Sequence, residues 1–171
     1  MTKKIILNAF GPDKPGIVYN ITKTITTYNG NIELSKMLQM ESDFSLLMLI
    51  KIPHDKINNL FKDLDNIEEL EINYKITTTN KQTSNYTNFS FSISVADNEG
   101  IIYKFSDLFK KNKINIVNMD TFVKNAPNTG FPIFKLESIL MIPNKLDLDK
   151  FKIDLKEIAE KNSIDFIFDK I

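Results

Sequence analysis

One folding unit is written twice in this chain. The stretch LNAFGPDKPGIVYNIT, followed by Gly30-Asn31-Ile32, returns as ISVADNEGIIYKFS, followed by Ile114-Asn115-Ile116. Asp13 and Asp97, Gly16 and Gly100, and Asn31 and Asn115 are each 84 residues apart, whereas LIKIP at 49–53 and ILMIP at 139–143 are 90 apart. The second copy therefore carries six extra residues between these landmarks. A fixed offset broken by one local insertion marks a duplicated unit. It divides 171 residues, which length alone would allow as one domain, into two small ones. The expected division is a first domain at 1–76, a polar linker TTTNKQTSNYTN at 77–88, and a second domain at 89–171. A unit this small buries only roughly 60% of its chain surface, so the halves are expected to pack on each other.

Within each copy the periodicity alternates between two kinds. Residues 3–10 are apolar and β-rich until Gly-Pro-Asp-Lys-Pro-Gly breaks the strand; Ile17, Val18, Ile21, Ile25 and Tyr28 then recur at helical spacing, and Asn29-Gly30 ends that run as a helix C-cap would. Residues 31–40 read as a strand, and Phe44, Leu46, Met48, Ile50 and Ile52 as a third with period two. Ile57, Leu60, Phe61 and Leu64 form a second helical stripe, and Leu70, Ile72, Tyr74 and Ile76 a fourth strand. The second copy repeats the order. Phe89, Phe91, Ile93 and Val95 alternate with serines and Ala96; Ile101, Ile102, Phe105, Leu108 and Phe109 form one helix, and Leu148, Phe151, Leu155 and Ile158 the other. The insertion NAPNTG at 125–130 should lengthen the hairpin between its middle strands. This βαββαβ order predicts an α+β chain of two tandem ferredoxin-like sandwiches, each an antiparallel four-stranded sheet with both helices on one face.

Composition removes several functions. Lys+Arg and Asp+Glu are 22 each, which argues against a general electrostatic hold on nucleic acid or anionic lipid. Every basic residue is lysine, so the planar fork that grips phosphate or guanine bidentately is missing. With no Cys there is no disulfide framework, thiol catalysis or thiolate metal site, and the usage fits the cytoplasm. MTKKIILNAF turns polar too early for a signal peptide, and no apolar run approaches the ~20 residues of a membrane span. His54 is the only imidazole and is read as an exposed helix-start residue. No nucleophile–base pair, metal cluster, Walker or dinucleotide glycine motif is legible, so no catalytic residue, metal or cofactor is expected. RNA binding on this topology would need aromatics among basic residues on the middle strands. Phe89, Phe91, Phe131 and Phe134 are read as core instead, and Met37, Met40 and Met48 as core or interface packing.

Candidate chemistry sits in Gly11-Pro12-Asp13-Lys14-Pro15-Gly16-Ile17-Val18, where a strand end meets a helix start. Glycines let the backbone approach closely, Pro15 fixes φ near the helix entrance, and the first-turn amides lack intrahelical acceptors. A small carboxylate could accept those bonds with ~0.3–1 kcal/mol from the helix dipole. Asp13 could hold the ammonium of the same ligand, and Asn31 offers a donor and an acceptor. An alternative needs no ligand: Asp13 serves as N-cap to the Gly16 amide, and Gly30-Asn31 is an ordinary helix exit.

GPDKPGIV followed by a helix and Gly-Asn-Ile resembles the signature of ACT domains, and two such units in a chain of this length resemble the glycine cleavage system transcriptional repressor family. The likeness spans nearly the whole chain, with its specific part in the first loop. It implies an amino-acid site between two ACT units, built from the strand-to-helix loop of one and the edge strand of its neighbour. Carried over, the loop polar position is Asp13, the backbone donors are Gly16, Ile17 and Val18, and the polar residue after the helix is Asn31, within a motif that includes Gly11, Lys14 and Pro15. The second-half counterparts are Asp97, Gly100, Ile101, Ile102 and Asn115. That copy departs from the pattern: ADNEG puts Glu99 in place of Pro15, where it repels an incoming carboxylate, and Ile114 replaces Gly30. The second loop is thus expected to be a weakened site or a structural partner. The implied role is a non-enzymatic, amino-acid-responsive regulator, with glycine as first candidate, acting through a protein partner such as a DNA-binding regulator and touching neither nucleic acid nor membrane itself. Two other roles stay open, a regulatory subunit of a biosynthetic enzyme and a scaffold without ligand. Whether the chain also forms a homodimer is open as well.

Overall fold

The computed structural model describes residues 1–78, 85–96, 99–125 and 130–171. The chain divides into two units, Met1–Lys81 and Gln82–Ile171. In the first, β1 (Thr2–Pro12), α1 (Ile17–Thr27), β2 (Asn31–Met40), β3 (Asp43–Pro53), α2 (Ile57–Asp65) and β4 (Glu71–Thr77) follow the expected order. A single 3-10 turn, His54–Lys56, leads into α2 and holds His54 exposed at a helix entrance. The second unit contains β5 (Tyr86–Ala96), α3 (Ile101–Lys111), β6 (Asn115–Asn125), β7 (Pro132–Pro143), α4 (Leu148–Lys161) and β8 (Asp165–Lys170). Both sheets are four-stranded and antiparallel, ordered β2-β3-β1-β4 and β6-β7-β5-β8. These are tandem ferredoxin-like sandwiches. Of the insertion, residues 126–129 lie outside the described residues, and β6 and β7 flank it.

Period-two alternation decides which sheet face is covered. Ile5, Leu7 and Ala9 of β1 and Phe44, Leu46, Met48, Ile50 and Ile52 of β3 are buried together with Ile21 and Ile25 of α1 and Leu60 and Leu64 of α2. A fully buried Leu or Ile contributes about 1.5–3 kcal/mol, so this one-sided cluster is what holds the helices on the sheet. The second unit fills the same space with phenylalanine: Phe91 lies 5.1 Å from Phe105 and 5.3 Å from Phe109, ring centre to ring centre. Phe89 is part of this core and Phe134 packs partly buried against it. Phe131, expected in the core, is exposed because it precedes β7. Met48 is buried, whereas Met37 and Met40 are exposed on β2, which is an edge strand with one neighbour only.

Helix exits are built alike in three places. The amide of Gly30 donates to the Ile25 carbonyl, that of Ile114 to Phe109 and that of Ile164 to Ala159, each at 2.9 Å. The left-handed residue that makes this closure is Asn29, Lys113 or Ser163 rather than a glycine. The matched edge strands β2 and β6 each carry a bulge near their start, between Ile32 and Leu34 and between Ile116 and Asn118.

Candidate functional site

The first loop is anchored at its base and open at its tip. After β1 the Asp13 amide donates to the Ser42 carbonyl at 2.9 Å, tying the loop to the β2–β3 turn. Gly16 takes φ 95°, and its carbonyl accepts from Asn20 at 2.9 Å as the first helical bond of α1. The α1 N-terminus has no side-chain cap and no acidic residue in its first turn. Asp13 is therefore not the N-cap that a ligand-free reading assigns to it. Gly16 already occupies that position in a left-handed conformation, and the Asp13 side chain is exposed to solvent. What remains is a helix mouth where the Ile17 amide makes a long bond of 3.4 Å to the Lys14 carbonyl, with the amides of Gly16 and Val18 nearby and a carboxylate from Asp13 a few residues away.

Two contacts of the loop, both with Glu69, were invisible in the sequence. The Lys14 ammonium pairs with the Glu69 carboxylate 55 residues away, both about half exposed, which makes the pair a locator rather than a large stabiliser. Gly11 is buried against the same turn: a Cβ built there would stand 2.6 Å from the Glu69 carbonyl oxygen. Its glycine thus serves packing of β1 on the α2–β4 connection. The Glu68-Glu69 pair before β4 was the only trace of this contact in the sequence, and spacing could not link it to Lys14.

Lys14, Pro15 and Ile17 line one end of a groove of about 570 Å³ between α1 and the α2–β4 connection. Its volume falls within the range of about 300–1,000 Å³ usual for small-molecule sites. Lys14 and Lys23 line this groove together with Asp63, Glu68 and Glu69, so it offers both signs of charge. Asp63 also accepts from the Tyr28 hydroxyl at 2.5 Å, and this bond to the carboxylate pushes the phenol above its ordinary range.

Asn31 is not part of this cluster within its own unit. It starts β2 opposite Lys51, which lies opposite Lys4, whereas the loop adjoins Pro12, Asp43 and Met40 at the other end of the sheet. Nine residues of strand, about 30 Å, separate the two ends, so one small ligand cannot touch Asp13 and Asn31 of the same unit.

In the second unit Gly100 again takes a left-handed φ, 77°, and α3 again begins without a side-chain cap. Ile101 is buried, Ile102 and Glu99 are exposed, and Asn115 starts β6 opposite Met141 at the end remote from Gly100. Asp97 lies outside the described residues. Among the described residues no group of three or more His, Asp or Glu could hold a metal ion, and no helix is long and apolar enough to cross a membrane.

Two βαββαβ sandwiches in tandem, each opening its first helix with an uncapped left-handed glycine, define a duplicated α+β module. The first unit belongs to the ACT-domain family, whose model matches residues 3–77. The chain is homologous to the glycine cleavage system transcriptional repressor of Escherichia coli (strain K12), with 28% identity over 127 residues, covering 72% of this chain and 67% of that protein. A UPF0237 protein of Methanococcus maripaludis is 32% identical over 87 residues, covering 49% of this chain and 94% of that protein. The crystal structure of an unknown protein from Galdieria sulphuraria shares the fold, with a TM-score of 0.88 at 20% identity over 100% of this chain and 99% of that one.

Proposed function

We propose that this chain is a non-enzymatic regulatory protein that binds a small amino acid, glycine first among candidates, at the β1–α1 loop of its first unit and acts through a protein partner. The observation that carries the reading is the uncapped start of α1 beside the exposed Asp13 carboxylate. The ligand's carboxylate accepts from the amides at Gly16 and Val18 and from that of Ile17, whose long bond to the Lys14 carbonyl it replaces, and Asp13 faces its ammonium. Both charges of the ligand are needed, which separates an amino acid from a simple anion. Homology to a transcriptional repressor of glycine cleavage supports regulation through a partner rather than catalysis, and a DNA-binding regulator is the first partner to test. For regulation, the ligand must favour one state of the protein by about 1–3 kcal/mol.

Calorimetry with the twenty amino acids tests the binding half. Heat with glycine or a close relative is expected, and it should vanish in Asp13→Ala while thermal stability stays within about 0.5 kcal/mol. Absence of heat and of thermal shift with all twenty would end the sensor reading. Co-purification from the source cell tests the other half: a large catalytic protein in place of a DNA-binding regulator would move the role to an enzyme's regulatory subunit.

A further inference from the structure

The helix-free face of the first sheet carries apolar side chains on either side of a mostly polar middle row and opposite charges toward its two ends. The β2 bulge at Glu33 sets Leu34 beside Leu49, Lys36 beside Leu47 and Leu38 beside Ser45, all on the side away from the helices. Ile6 and Phe10 of β1 share that side through their pairing with Leu49 and Ser45. Ile6, Phe10, Leu34, Leu38 and Leu47 are between 38% and 61% exposed. One end of the face carries Lys4, Lys51 and Lys75, with Lys4 paired to the Glu33 carboxylate, and the other carries Glu71 and Asp43. A contiguous apolar area on a soluble unit marks an interaction site.

The arrangement is two-fold symmetric about the row Asn73-Asn8-Leu47-Lys36. Rotation about an axis along that row, which reverses the strand direction, lays Lys75 over Glu71, Lys51 over Asp43, Ile6 over Phe10 and Leu34 over Leu38 of a copy. Leu47 meets Leu47, and Asn8 and Asn73 meet their twins, each with an amide donor and acceptor. Lys36 meets its own twin as well, but on the edge strand it can carry its ammonium to the rim. We infer that this face binds the same face of a second copy of this chain, sheet on sheet with strands reversed, as an isologous pair. A sheet four strands wide and about ten residues long offers about 600 Å² of flat face per copy, somewhat below the roughly 800 Å² per partner of a standard stable interface. The pair is therefore a reversible one. The equivalent face of the second unit lacks this character: Ser90, Ser94 and Glu137 stand where Ile6, Phe10 and Leu47 stand in the first. This inference does not depend on amino-acid binding.

Sedimentation equilibrium of the full chain tests it. A monomer–dimer equilibrium is expected below about 1 mM. Leu47→Glu places two carboxylates against each other on the axis and should weaken dimerisation at least about thirtyfold, with an unchanged circular dichroism spectrum because Leu47 is half exposed. Glu71→Lys alone should weaken it about threefold to tenfold, and adding Lys75→Glu should restore it, since the two positions face each other across the axis. Ser92→Glu on the second unit's face should leave the equilibrium within about twofold. A chain that stays monomeric at every concentration overturns the inference. So does a dimer indifferent to Leu47→Glu, or a charge reversal without rescue.

Discussion

The two units share a backbone plan and differ in almost everything placed upon it. Leu7 and Phe91 hold the same position in their first strands and are both fully buried, yet one lies in an aliphatic core and the other between two phenylalanine rings. Gly11 and Val95 are matched too: the first must be glycine because the Glu69 carbonyl closes on it, while the second carries a buried side chain. On the open face, apolar Ile6 and Phe10 answer to Ser90 and Ser94. The conserved feature of the pair is geometric, since Gly16 and Gly100 both take left-handed φ at an uncapped helix start. Duplication keeps what the backbone needs and frees what the surface does, so one scaffold carries the GPDKPG loop and an apolar sheet face on one unit and the ADNEG loop and a serine-lined face on its twin.

Four experiments press on this contrast. The largest effect should come from Phe91→Ala, which removes a ring packed on two others and should cost about 3–5 kcal/mol by chemical denaturation; Leu7→Ala at the matched site should cost about 2–5 kcal/mol. If the aliphatic site proved the more sensitive, the ring cluster would not be the stronger core. Next, Gly11→Val imports the second unit's residue into the first and drives a side chain into the Glu69 carbonyl, for an expected loss of about 1–3 kcal/mol on the same measurement. A neutral result would show that the α2–β4 connection yields easily.

Gly16→Ala and Gly100→Ala should each cost about 1–2 kcal/mol, and by similar amounts, because nothing lies within 4 Å of either added methyl and only the left-handed backbone is penalised. Unequal losses would mean that one loop relaxes where the other cannot. The smallest effect concerns the α1 exit, where Tyr28 stands in place of the second unit's Asn112. Its phenol is raised by the hydrogen bond to Asp63, so Asp63→Asn should bring its ultraviolet titration back toward the ordinary value near 10. A raised folded-state pKa means that the bond's support is whole below pH 10 and fades as pH climbs through the folded value. That alkaline loss should be smaller in Tyr28→Phe.

Most of the fold was legible because alternation and helical spacing are local. Phe89, Phe91, Ile93 and Val95 declare a half-buried strand by themselves, and the fixed offset between Gly16 and Gly100 declares the second unit. The loop was legible as a break between strand and helix. Its chemistry was less so, since Asp13 fits an N-cap by sequence, and only the left-handed Gly16 shows that the cap position is taken. Asn31 fits a shared ligand by its place after the helix, until the length of β2 sets it at the far end of the sheet.

The sequence by itself determined the element order, the duplication, the buried faces and the absence of arginine and cysteine chemistry, because periodicity and composition act over a few residues at a time. Tertiary structure alone decided that Glu69 closes on Gly11 and Lys14, and that one bulge at Glu33 turns Leu34 and Leu38 to the helix-free side with Ile6 and Phe10. Those outcomes depend on strand register and on turns that meet across 55 residues, and a one-residue shift in pairing moves every side chain to the opposite face.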